Sequence, residues 1–257
     1  LKNAKVLVAA LASLMGSLAV AQTDHDNIDR GRPLSFDDAE AVATGSRAIE
    51  FGLNMDFLRG RRFGFAAPFE FIWGAFPDTQ VEIGTAALFG SRPGGKTGFD
   101  LEGIDLGILH SFRREVNNSP ALALKAEALV PTNRGESEHF RMTGIMSKTA
   151  RQYDRFHLNV DVEFIPRAPG AENKTRLGAV LGYTTPIGYP RHFDTTALAE
   201  LVVRQPQDIG GNLVTALGFG IRRQMNPTSV FDLGVQAELS GRDKVPFRLI
   251  AGYSTSF

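Results

Sequence analysis

The sequence predicts an all-β protein, an antiparallel transmembrane β-barrel of about twelve strands. Three observations carry that prediction. From Arg47 onward apolar and polar residues alternate with a period of two. One side of the alternation is repeatedly charged and the other is almost free of charge. The chain stops on Phe257 at the end of an alternating segment.

The alternation is regular over long stretches. Ile49, Phe51, Leu53, Met55 and Phe57 alternate with Glu50, Gly52, Asn54 and Asp56. Phe156, Leu158, Val160, Val162 and Phe164 alternate with His157, Asn159, Asp161 and Glu163. Phe231, Leu233, Val235, Ala237 and Leu239 alternate with Asp232, Gly234, Gln236 and Glu238. Successive side chains of a strand point to opposite faces, so each segment is apolar on one side and polar on the other. Twelve such segments fall at 47–58, 62–74, 79–89, 101–112, 120–130, 140–149, 153–165, 174–185, 193–204, 212–225, 228–240 and 245–257. The sixth and ninth show the pattern least clearly. Clusters of Gly, Pro, Asn and Asp between the segments supply turn chemistry. Ala75 to Asp78 and Asn226–Pro227 read as tight turns, whereas Gly90–Asp100, Pro131–His139, Pro166–Asn173 and Gln205–Gly211 are longer and polar. An even number of strands puts both ends of the barrel on one side.

A period-two pattern is buried either by a second sheet or by lipid. Segments of about 10 residues or more match a tilted membrane strand better than a sandwich strand. The polar side carries Glu50, Asp56, Glu70, Glu82, Asp105, Lys125, Glu127, Asp161, Glu163, Arg176, Glu200, Arg222, Asp232, Glu238 and Arg248. These charges suit a lumen; on the lipid side each would cost roughly 2–4 kcal/mol at the bilayer midplane. Eleven of the fifteen are acids, against four bases. Phe57, Phe63, Phe65, Trp73, Phe76, Tyr153, Phe156 and Tyr183 fall near strand ends, where interfacial girdles lie. In the last strand Phe247, Leu249, Ala251, Tyr253 and Phe257 share one face, and Tyr253 with the terminal Phe257 reads as an outer-membrane C-terminal signal.

Composition narrows the function. The chain has 257 residues, 28 Lys+Arg against 28 Asp+Glu, and no cysteine. Zero net charge gives no electrostatic case for nucleic acid. Without cysteine there is no disulfide framework, thiolate metal site or catalytic thiol. Lys2 and Lys5, the apolar run Val6–Leu18 and the small residues Ala19 and Ala21 before Gln22 read as a signal peptide over 1–21. Residues 22–46, with Asp24, Asp26, Asp29, Asp37, Asp38 and Glu40, read as a polar periplasmic leader or as a plug folded back into the lumen. The barrel itself is assigned to 47–257.

The resemblance extends beyond a generic barrel. Arg32-Pro33-Leu34-Ser35-Phe36-Asp37-Asp38-Ala39 leads into Ala48-Ile49-Glu50-Phe51-Gly52. Arg223-Gln224-Met225-Asn226-Pro227-Thr228 leads into Phe231-Asp232-Leu233-Gly234-Val235, and the chain closes Gly252-Tyr253-Ser254-Thr255-Ser256-Phe257. In these motifs most of the mature chain resembles the outer-membrane family named for the MetA-pathway of phenol degradation, whose members are transporter-like. The closing motif departs slightly from that family's Gly-x-Ser-x-Phe form. The resemblance implies a bacterial outer-membrane location and transport of a small solute, an aromatic or apolar compound first. It supplies no catalytic residues.

Other motifs carry less. Gly90-Ser-Arg-Pro-Gly-Gly-Lys-Thr97 matches a phosphate loop, but turn and strand follow where that chemistry needs a helix. His25, His110, His139, His157 and His192 show no metal spacing, and His157 reads as a hydrogen-bonded lumen residue. Ser46, Ser111 and Ser147 have no evident histidine partner one strand away, so no enzyme is expected. The inward charges read as a salt-bridged network or as a cation-favouring path. Inward Gly52, Gly84, Gly107, Gly178, Gly182, Gly218, Gly220, Gly234 and Gly252 leave space beside them for ligand, water or long side chains. The expected partners are outer-membrane lipid, the barrel assembly machinery and a small-molecule solute; no cofactor or metal is expected. The alternatives are a closed barrel with a structural or surface role, and a lipid-modifying enzyme.

Overall fold

The computed structural model describes residues 32–60, 62–91, 97–132, 136–151, 153–168, 170–188, 191, 194–241 and 245–257. The predicted cleavage residues Ala19, Ala21 and Gln22, and most of the phosphate-loop-like motif, lie outside them.

The alternating segments form the strands β1 (Arg47–Leu58), β2 (Arg62–Phe76), β3 (Thr79–Gly90), β4 (Asp100–Leu101), β5 (Ile104–Arg113), β6 (Ala121–Val130), β7 (His139–Thr149), β8 (Arg155–Phe164), β9 (Thr175–Pro186), β10 (Thr195–Arg204), β11 (Val214–Asn226), β12 (Ser229–Glu238) and β13 (Phe247–Ser256). Twelve are long; β4 is a two-residue continuation of β5 across a bulge. All pairings are antiparallel between neighbours, and β1 pairs with both β2 and β13, which closes the barrel. The two segments with the least clear pattern are full strands, β7 and β10.

Closure has a simple origin. A sheet in lipid has no water to satisfy an open edge. The last backbone donor, Phe257 N–H, meets the Arg47 carbonyl at 3.0 Å, so the C-terminus is sewn to the first strand. The side chains sort as the period requires. Phe51, Leu53, Ile83, Leu106, Phe140, Leu177 and Phe219 are exposed on the outside, while Glu50, Glu82, Lys125, Asp161, Glu200, Arg222 and Asp232 are buried inside. Phe63, Trp73, Phe76, Tyr153, Phe156 and Phe257 sit exposed near strand ends. Tyr253 lies outside and donates its hydroxyl to Ser229 Oγ at 3.1 Å. Pro77–Asp78 makes the tight β2–β3 turn, with Asp78 at φ 55, a left-handed position that Asp tolerates.

Twelve strands ~4.8 Å apart and tilted ~40° give a backbone perimeter of about 75 Å and a radius of about 12 Å. Long side chains fill most of that radius, so the lumen is narrow.

Candidate functional site

The lumen is divided by residues 32–43. This segment turns at 32–35 and then runs on around the inner wall against the strand order. Arg32 lies over Glu50 of β1, Pro33 over Gly220 and Gly234, Ser35 on Glu200 of β10, and Phe36 over Gly182. Asp37 then meets Asn159 of β8, Ala39 meets Ser147 of β7, Ala41 meets Ser111 of β5 and Val42 meets Gln80 of β3. The chain returns to the wall at Gly45, whose N–H bonds Gly74 O of β2 at 2.7 Å. From Arg32 to Val42 its contacts follow one another from β1 through β12, β11, β10, β9, β8, β7 and β5 to β3. The segment therefore forms an internal belt.

Three kinds of contact hold the belt. Its backbone N–H groups at Ser35, Asp37, Ala39, Ala41 and Val42 donate to wall side chains at 2.6–3.0 Å. Ser111 Oγ and Asn159 Nδ2 return hydrogen bonds to the carbonyls of Ala39 and Asp37. An extended chain buried inside a barrel must satisfy its backbone somewhere, and here the polar wall takes the place of a partner strand. Its apolar side chains fill apolar patches on the same wall. Leu34 and Phe36 pack with Val180, Leu198, Val202 and Ala216; Ala39 packs with Leu109, Ala121, Ala123 and Ile145; Val42 packs against Ala48 and Ile72. Its charges pair across the lumen: Arg32–Glu50 at 2.9 Å, Asp37–Lys125 at 3.3 Å, and Asp38 and Glu40 with Arg155 at 2.9 and 3.1 Å.

The inward charges predicted from the sequence are brought together as a network. Lys125 Nζ lies 2.9 Å from Glu82 and 3.3 Å from Glu127. Glu163 gathers Arg176 at 2.7 Å, His139 at 2.9 Å and Arg141 at 3.5 Å. Arg248 pairs with Asp56 at 2.5 Å. Glu200 accepts from Ser35 and Gln236, and Glu238 accepts from Val245 N–H. Arg222 and Asp232 face each other across the β11–β12 register, and Glu50 faces Glu70 across β1–β2. Asp105 and Asp161 line the chambers described below.

Two sequence expectations need correction. The count of four inward bases omits Arg141, Arg155 and Arg204, which stand at strand ends or in less regular segments, and Arg32, which comes from the belt. Ser147 does have a histidine partner. The β7–β8 register sets it opposite His157, with Oγ and Nδ1 3.1 Å apart. The pair is buried, the Phe36 ring stacks on His157 at 4.8 Å, and Ser147 Oγ takes the Ala39 N–H. Of the nine inward glycines eight are covered by other groups, long side chains among them, and Gly84 lines a chamber. Carboxylates cover Gly107, Gly178, Gly218 and Gly252, and belt residues cover Gly52, Gly182, Gly220 and Gly234.

Space remains on both sides of the belt. Towards the chain termini a cavity of about 450 Å³ is lined by Asp37, Asp38, Glu40, Glu70, Glu82, Glu115 and Lys125. On the opposite side lie a chamber of about 260 Å³, lined by Arg32, Pro68, Glu70, Asp105, Glu127, Arg141 and Glu163, and one of about 280 Å³ lined by His139, Arg141, Arg176 and Arg204. Asp105, Arg141 and Arg204 each present a buried polar atom with no protein hydrogen bond there. Outside the strands, burial alone would push the Glu115 carboxyl up. Hydrogen bonds from Lys148 and Thr149 and the Arg155 charge outweigh it and hold the group below the usual carboxylate range. Among the described residues no group of His, Asp and Glu could hold a metal ion.

Apolar outside, charged inside, closed and belted within, the fold is that of a narrow outer-membrane-type β-barrel. No family model and no curated protein matches the chain. Among solved structures it is similar to the COG4313 outer membrane channel from Pseudomonas putida F1, at 12% identity and TM-score 0.68, covering 90% of this chain and 100% of that one. It is also similar to the NanC porin (9% identity, TM-score 0.57, 82% and 98% covered) and to the KdgM porin (10% identity, TM-score 0.54, 82% and 99% covered). At these identities the likeness is one of fold.

Proposed function

We propose that the chain is a channel of the bacterial outer membrane that passes a small solute passively, with the belt setting its aperture. The observation that carries this reading is the lumen: a closed wall, lipid-facing outside, enclosing polar chambers on both sides of a constriction. The fold likeness to a channel and to porins supports it, as does the KdgM porin structure in complex with disordered oligogalacturonate. The resemblance to the MetA-pathway family makes an aromatic or apolar compound the first candidate solute. The inward carboxylates Glu127, Asp161 and Glu163 are the residues we assign to the path. The Ser147–His157 pair does not make an enzyme, because the belt seals it and occupies the hydroxyl.

Planar-bilayer recording of the refolded protein tests the proposal. Small, well-defined conductance steps are expected. Neither conductance nor solute flux into liposomes would overturn it, and would favour a closed barrel, for which the dense ion pairing of the lumen also argues.

A further inference from the structure

The far-side chamber of about 280 Å³ is balanced in charge, unlike the acidic lumen around it. Three acids, Glu102, Asp161 and Glu163, face three arginines, Arg141, Arg176 and Arg204, with His139 beside them. Most of these groups are committed. Glu163 takes Arg176 at 2.7 Å, His139 at 2.9 Å and Arg141 at 3.5 Å. Glu102 stands exposed between β4 and β5. Asp161 and Arg204 remain. Asp161 is buried, and among the described residues neither side chain makes a hydrogen bond or an ion pair. Arg204 Nε is itself buried without an acceptor. A charge withdrawn from bulk water and left unpaired is costly until something of opposite sign meets it.

The strands set the two residues at a fixed span. Asp161 of β8 is opposite Gly178 of β9, and Gly178 is opposite Arg204 of β10, so all three face the lumen in one row. Two strand spacings put the backbones of Asp161 and Arg204 about 10 Å apart. Glycine between them keeps the floor of the row low. A Cβ at Gly178 would lie 2.5 Å from Asp161 Oδ1, so the carboxylate lies over the glycine, on the side of Arg204. Both residues also line a smaller cavity of about 150 Å³ bounded by Leu34, Ser35 and Phe36 of the belt. The row therefore stands at the edge of the constriction.

The chemistry of the row selects its ligand. A lone cation would meet Arg204, a lone anion would meet Asp161, and an apolar molecule would strip water from both. A molecule carrying an ammonium and a carboxylate answers both at once, with a charge-assisted hydrogen bond of about 2.8 Å at each end. In an α-amino acid the two groups hang from one carbon, which keeps the ligand within the span. We infer that Asp161 and Arg204 form a binding site for a small zwitterion of the amino-acid class, its ammonium on Asp161 and its carboxylate on Arg204. The inference rests on the channel reading and adds a solute class taken by the polar lumen.

Four solutes of one size test it. L-Alanine carries both charges, lactate the negative one, alaninol the positive one and propylene glycol neither. Each is followed as radiolabel entering proteoliposomes, at a concentration too low to saturate the channel. Alanine and propylene glycol are both neutral overall, so the net charge of the lumen treats them alike. Alanine should nevertheless enter about tenfold faster, the equivalent of about 1.4 kcal/mol of attraction in the site. Asp161→Asn and Arg204→Gln should each bring that ratio close to unity, and they should move the charged solutes in opposite directions. The first should shift entry towards lactate over alaninol, the second towards alaninol over lactate. Arg204→Lys should keep most of the preference for alanine. Excess unlabelled glycine should slow alanine entry and excess propylene glycol should not, which reads the site in the unmodified protein should a variant fail to fold. Alanine entering no faster than propylene glycol, or no slower under excess glycine, overturns the site and leaves the channel standing. An unchanged alanine ratio in Asp161→Asn or Arg204→Gln barrels that keep their heat-dependent gel mobility does the same. Entry of none of the four solutes, with no conductance, defeats the channel reading and the site with it.

Discussion

Glu115 joins three parts of the molecule. Its carboxylate accepts from Lys148 Nζ at 2.7 Å, from Thr149 N and Oγ1, and from Arg155 Nη1 at 3.0 Å, while the other end of Arg155 holds Asp38 and Glu40 of the belt. Because its folded-state pKa is depressed, the stability it contributes is present above the ordinary carboxylate pKa. That stability is lost as pH falls through the lower folded value. Glu115→Gln should therefore cost roughly 2 kcal/mol at neutral pH, the worth of charge-assisted hydrogen bonds. The gap from the unmodified protein should close in strong acid. The midpoint of the heat-dependent gel mobility shift, measured across pH, reads both; a gap that stays constant into acid would refute it. Arg155→Gln should act through the same junction by freeing the Asp38–Glu40 part of the belt, and channel noise should rise.

The strands were legible because lipid on one side and charge on the other impose a period of two that survives in any single stretch. Twelve segments read from that period became twelve long strands with shifts of a few residues at their ends. The belt was not legible in the same way. Its alternation is set by wall residues from β10 back to β3, and no local pattern in 32–43 encodes them. The sequence nevertheless held a signal in the strands themselves: Leu109, Ile145, Val180 and Leu198 are apolar residues on a face that should be polar, and each packs against the belt. Ser147–His157 was missed because pairing across β7–β8 depends on the length of the 150–154 turn, which a periodicity does not fix. Glycine carries the other part of the signal. A Cβ at Gly182 would stand 2.5 Å from the Phe36 ring. Gly182→Leu should evict Phe36, leave the barrel folded and raise conductance. Phe36→Ala alone should weaken the belt by about 3 kcal/mol, the usual range for such a core deletion. The double variant Gly182→Leu/Phe36→Ala should bring conductance back towards its starting value, because the new side chain fills the space the ring leaves. Additive increases in the double variant would show that the two residues do not share that space.

At the scale of the whole barrel the belt governs both aperture and charge. It brings one base, Arg32, and three acids, Asp37, Asp38 and Glu40, into the lumen, and it ties up Lys125 and Arg155 of the wall. The intact lumen keeps an excess of acid, so a cation preference is expected, tempered by Arg141, Arg176 and Arg204 in the chambers on the far side. Neutralising Glu127 or Asp161, which line those chambers, should lower the cation-to-anion permeability ratio roughly twofold each, equivalent to about 0.4 kcal/mol in a partly screened lumen. Deleting 32–43 makes a stronger and less intuitive demand. Conductance should rise roughly fourfold if the clear radius doubles, since the strands alone fix the barrel's diameter. Cation preference should fall at the same time, because two net negative charges leave and Lys125 and Arg155 lose three belt carboxylates while Glu50 loses one belt cation. A simple widening would also weaken selectivity, but only towards neutrality. Reversal potentials in a salt gradient distinguish the two, since uncovered Lys125 and Arg155 should carry the deleted channel further towards anions than the Lys125→Gln/Arg155→Gln version of the same deletion. Equal reversal potentials in those two channels would mean that the belt is a mechanical obstruction with no part in the charge of the path.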